Sequence, residues 1–165
     1  MKTRISIGLF ALCLAALALT SDMAAKNSRP FKGQGEAVWD NVFKALPPPF
    51  PSSQPPATFN GTIQVTHMGR STQQGTLFLD PPTAPGIFPG RGSVTFTAAN
   101  GDTLTFDFLG ELNANTGEGE GRFTVTGGTG RFDKATGAGT FSALIGLLLP
   151  ANQPMAVELN GRITY

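Results

Sequence analysis

Charge is scarce in this 165-residue sequence: Asp, Glu, Lys and Arg together make up 14%, against roughly 25% in a typical globular domain. Long solvent-facing helices are covered by Glu, Lys and Arg, so a helical bundle or coiled coil is excluded. Histidine and cysteine occur once each, at His67 and Cys13, which excludes a multi-histidine metal site within one chain. No metal site and no cofactor is expected. Tryptophan and tyrosine also occur once each, too few for the two aromatic girdles of an outer-membrane barrel.

Glycine and proline are abundant, at 21 and 13 residues. Apolar residues reach 40%, enough to bury a core, and the length suits one domain. Lys2 and Arg4 precede a charge-free run from Ile5 to Leu19, followed by small residues at Ser21, Ala24 and Ala25. The run is shorter than the roughly 20 residues that cross a bilayer as a helix, and the pattern is that of a secretory signal peptide. Residues 1–24 are therefore expected to be removed, with cleavage near Ala18 or near Ala24, leaving a single domain over 25–165 with no membrane-spanning segment. Cys13 leaves with the signal. Export of a chain without disulfides fits a secreted or periplasmic bacterial protein. Losing Lys2, Arg4 and Asp22 leaves acidic and basic residues equal in number, so nothing electrostatic points to nucleic acid or an anionic membrane.

From Phe59 onward apolar residues recur with period two, which places them on one face of a strand. The runs are Ile63, Val65, His67; Leu77, Leu79; Val94, Phe96, Ala98; Leu104, Phe106, Phe108; Phe123, Val125; Phe141, Ala143, Ile145, Leu147; and Val157, Leu159, Ile163, Tyr165. Asn100-Gly101 is a hairpin signal of the type I′ kind. Asp80 to Gly92 and Asn113 to Gly121 read as longer loops, and Pro47 to Pro56 as an extended connector. Glu36 to Leu46 fits a helical stripe (Val38, Trp39, Val42, Phe43, Leu46) or a strand (Val38, Val42, Leu46). Taken as a strand it makes eight, enough to close an antiparallel barrel whose interior is filled or surrounds one small ligand.

Thirteen phenylalanines are the most informative residues. Phe96, Phe106, Phe108, Phe123 and Phe141 share the apolar phase of five strands; with Ile63, Val65 and His67 they are the expected lining of an interior pocket. Such a lining holds a small hydrophobic molecule by burial. His67 is in phase with Ile63 and Val65 and is expected to face the apolar side, as a core residue or as a polar anchor. His67, Asp107 and Glu158 are the acid–base groups available on strands should any reaction be catalysed. Asp107, Glu158, Arg122 and Arg162 occupy the polar phase, where cross-strand ion pairs are the expected use. Gly127, Gly128, Thr129 and Gly130 lack the Lys and Ser/Thr of a phosphate loop, and they are expected to form a tight strand-end turn with Phe132 tucked beneath the barrel.

Thr66-His67-Met68-Gly69-Arg70, Val94 to Leu104, Val125 to Gly139 and Leu159 to Ile163 resemble bacterial exported proteins of the allene oxide cyclase barrel-like type. The Gly-Gly-Thr-Gly-x-Phe segment is similar to one in plant allene oxide cyclases and dirigent proteins. The resemblance implies an eight-stranded antiparallel barrel with a central cavity, Glu36 to Leu46 as its first strand, and a homo-trimer. The Pro-Phe-Thr-Asn segment of the cyclases and the cavity aspartates of dirigent proteins have no counterpart here, so the fold carries over and the activity does not. The expected fold is thus all-β, a single eight-stranded barrel with short turns and one short helix if 36–46 is helical. The expected role is binding of an apolar or oxygenated lipid-like ligand. An isomerase or cyclase, a small outer-membrane barrel and a ligand-free structural protein are the alternatives.

Overall fold

The computed structural model describes residues 27–39, 56–144 and 154–165. The signal segment, most of the Pro-rich connector, Val42, Phe43, Leu46, Ile145 and Leu147 lie outside the described residues. Eight strands follow one another: β1 (Arg29–Trp39), β2 (Ala57–Val65), β3 (Gly69–Leu79), β4 (Ile87–Ala98), β5 (Thr103–Asn113), β6 (Glu118–Gly128), β7 (Thr136–Leu144) and β8 (Pro154–Thr164). Each pairs antiparallel with its neighbours, and β1 also pairs with β8, closing the barrel in chain order. Closure leaves no open sheet edge. The all-β barrel is therefore what forms, and the helical content described is one 3-10 turn, Gly130–Phe132; residues 36–39 are strand, and the rest of 36–46 lies outside the described residues.

The alternation sets the two faces. Phe59, Ile63, Val65, Phe96, Leu104, Phe106, Phe123, Val125 and Ile163 are buried inside. Outside, Thr62, Thr72, Thr97 and Thr103 stand opposite one another across four strands. In the next row Thr95 and Thr105 share a hydroxyl hydrogen bond of 3.2 Å. A barrel that faces lipid shows the reverse, an apolar band outside and a polar lumen.

Four local expectations are corrected. β1 begins at Arg29, and its inward phase is Phe31, Ala37 and Trp39 instead of the Val38 phase; Val38 is only half-buried. Gly33 and Gly35 occupy the same inward phase between Phe31 and Ala37, so the inward stripe is not apolar enough to be seen. Asp80 to Gly92 is not all loop, since β4 starts at Ile87 and Pro89 uses its carbonyl, which accepts from the Asp80 N–H at 2.8 Å. Asn113 to Gly121 is not all loop either: the turn spans Asn113 to Gly117, with the Gly117 N–H donating to the Asn113 carbonyl at 2.8 Å and Gly117 at φ 77°, and β6 starts at Glu118. At Asn100-Gly101 only the glycine takes positive φ (89°). The Gly101 N–H donates to Ala98 O, a type I turn followed by a left-handed glycine instead of type I′.

Glycines on the inward phase make room for rings. A Cβ at Gly139 or Gly161 would lie 2.6 or 2.9 Å from the tip of Phe123, and one at Gly92 would lie 2.7 Å from Phe108. Phenylalanine lying over a cross-strand glycine covers backbone that would otherwise lack a packing partner. At one end of the barrel the rings close up completely. Phe106 touches Phe31, Phe96 and Phe123 at centroid distances of 5.5, 4.9 and 5.3 Å, and Ile63, Val65, Leu104, Phe132 and Ile163 complete that cluster. Each edge-on or tilted ring pair adds about 0.5–1.5 kcal/mol to the area it buries.

Candidate functional site: an apolar cavity open at one end

The closed end is stoppered by the turn after β6. Gly127 and Gly130 adopt φ of 145° and 59°, and the 3-10 turn between Thr129 and Asp133 drives Phe132 to zero exposure. Its ring packs on Tyr165 at 4.8 Å. Arg29 lies over Tyr165 and Arg131 over Phe132, at 4.8 and 4.9 Å. Arg131 also pairs with Asp102 at 3.2 Å. Backbone N–H groups in this turn serve its own carbonyls: Phe132 N–H donates to Thr129 O and Asp133 N–H to Gly130 O. The turn is thus a structural plug.

Towards the other end, where β1 finishes and β2 starts, the described residues leave the interior unfilled. A cavity of about 100 Å³ lies between Phe96, Phe106, Phe108, Phe123 and Phe141 and a ring made by Trp39, Phe59, Leu77, Leu79, Leu112, Met155 and Leu159. Phe108 and Phe141 meet edge to face at 5.7 Å, as do Trp39 and Phe59 at 5.0 Å. The walls are almost wholly apolar. Gln73 is the buried exception; its side-chain amide donates to Glu36 O at 3.0 Å. Glu111 borders the space but is exposed, in phase with the outward Asp107, and among the described residues no Lys, Arg or His lines the space. A cavity of this size lies below the roughly 300 Å³ of drug-sized sites and matches a guest of about one ring.

Of the pocket residues read from the sequence, the five phenylalanines line the cavity, whereas Ile63 and Val65 belong to the packed end. His67 is a correction. The strand ends at Val65, and His67 sits in the following turn at φ 70°, exposed. Its Nε2–H donates to Pro30 O at 2.9 Å and its ring lies 5.8 Å from Tyr165. Asp107 and Glu158 are exposed on the outer face, and Glu158 accepts from the Gln34 amide at 3.3 Å. The three acid–base candidates are therefore not brought together, and none lines the cavity.

The expected ion pairs among Asp107, Glu158, Arg122 and Arg162 do not form among the described residues, because the register sets Asp107 opposite Ser93 and Thr124, and Arg122 opposite Leu109 and Thr140. Arg162 donates instead to Ser28. Asp80 and Arg91 pair on the surface, at 3.5 Å. Trp39, Phe59 and Gln73 were missed as lining. Alternation around Ser71, Gln73 and Gly75 has no apolar phase to follow, and the inward phase of β1 is interrupted by glycine.

No protein-family model and no curated protein matches the chain. Among solved structures, the chain is similar to that of the pterocarpan synthase dirigent protein GePTS1, at 13% identity and a TM-score of 0.46 over 84% of this chain and 87% of that one. The barrel rests on its eight ladders and not on this likeness.

Proposed function

We propose that the protein is a binding barrel that encloses a small, uncharged, predominantly apolar molecule in the unfilled half of its interior. One observation carries this reading: a barrel packed solid at one end keeps a phenylalanine-walled space of about 100 Å³ towards the other. Filling such a space gains about 25 cal/mol for each Å² of apolar surface removed from water. Among the described residues no cation lines the space, which disfavours an acid, whose buried carboxylate would have no counter-charge there. The notion of an oxygenated lipid is accordingly narrowed to a short neutral compound.

Residues 1–24 support export, so the guest would be met outside the cytoplasm; amino-terminal sequencing of protein from its own host tests that assignment. The binding reading is tested on the same material by native mass spectrometry and solvent extraction. A bound organic mass that is released by solvent supports it. Protein that is uniformly free of guest and takes up no one-ring compound at millimolar concentration overturns it. The resemblance to trimeric barrels adds a homo-trimer to the proposal, read by light scattering.

A further inference from the structure

The sole tryptophan supplies more than wall area. Trp39 is 7% exposed, and its indole N–H is fully buried with no hydrogen-bond partner, the one such side-chain group among the described residues. Buried indole N–H groups usually find an acceptor, because an unpaired donor forfeits its hydration without return. Here the indole borders the cavity, held edge-on against Phe59. Indole nitrogen donates and does not accept, so a guest that carries an acceptor would complete it.

We propose that Trp39 Nε1–H is the polar anchor of the cavity and selects neutral one-ring carbonyl or ether compounds over hydrocarbons of the same shape and over carboxylates. The inference rests on the interior-binding reading. The lining points the same way: among the described residues no cation borders the space, so an anion finds no counter-charge within.

The test uses the full chain and three probes: acetophenone, α-methylstyrene, in which C=CH₂ replaces C=O at unchanged shape, and benzoate. Dissociation constants are measured by calorimetry for the wild type and for Trp39→Phe, which keeps a ring and removes the donor. The expected result is that the substitution weakens acetophenone about fivefold or more relative to α-methylstyrene. Benzoate should bind the wild type roughly tenfold or more weaker than acetophenone. Since the chain has one tryptophan, its single indole N–H resonance should move downfield with acetophenone and stay in place with α-methylstyrene. Equal effects of the substitution on both ketone and hydrocarbon overturn the anchor and leave interior binding standing. Benzoate binding as well as acetophenone overturns the selection against anions. Failure of the folded wild type to bind any probe overturns the interior reading itself. Should Trp39→Phe not fold, the wild-type resonance alone decides.

Discussion

His67 shows how one backbone angle overrides a side-chain pattern. At φ 70° it is the described non-glycine residue in the left-handed region, where an ordinary L residue loses roughly 1–2 kcal/mol and a β-branched one fits worst. His67→Val should therefore lower stability by about 1–2 kcal/mol, the hydrogen bond to Pro30 O being lost as well, whereas His67→Asn should cost less. Urea midpoints of the two variants read the difference directly. Gly121 is constrained by space instead. A Cβ there would stand 2.3 Å from the Leu109 carbonyl oxygen and 2.7 Å from the Phe141 ring, and the oxygen belongs to a neighbouring strand that cannot retreat. Gly121→Val should lose about 3 kcal/mol or more, seen as a drop in Tm or as insoluble protein.

At the scale of the strand, legibility followed the density of large apolar side chains. β5 alternates Leu104, Phe106 and Phe108 with polar residues and was readable as it stands. β1 and the start of β4 carry glycine where the inward side chain would be, so a rule that counts apolar positions could not decide between helix and strand in one and read a loop in the other. The same glycines that erase the signal admit the rings from across the sheet. The cavity was readable only from the side that phenylalanine supplies; the Trp39 and Gln73 side was not, since one alternation was ambiguous and the other polar. β1 also carries the closing ladder with β8, from Arg29 opposite Ile163 to Val38 opposite Pro154. Gln34 lies between Gln64 of β2 and Glu158 of β8. Gln34→Pro should remove a ladder hydrogen bond and cost about 3 kcal/mol. In a viable variant, hydrogen exchange should speed up in β1 and in the facing residues of β2 and β8 before it does in β5.

For the molecule as a whole, polar residues outside and rings inside separate the chemistry of the surface from that of the proposed interior site. Among the described residues the walls of the cavity carry no ion pair, so affinity for a neutral guest should change less than about twofold between 0.05 and 0.5 M NaCl, as calorimetry at several salt concentrations would show. A guest that binds only the folded barrel should raise stability by about 2.7 kcal/mol at a hundredfold excess over its dissociation constant, visible as a concentration-dependent rise in Tm. Closing the cylinder also joins the first and last strands, residues far apart in sequence, and such long-range pairing makes folding slow, in the range of milliseconds to seconds.

The stopper made by Phe132 and Tyr165 turns the cylinder into a cup, not a pipe. On the proposed reading a guest enters and leaves over the same lip, and any handover to an enzyme, a membrane or another carrier takes place there, arrivals waiting for departures.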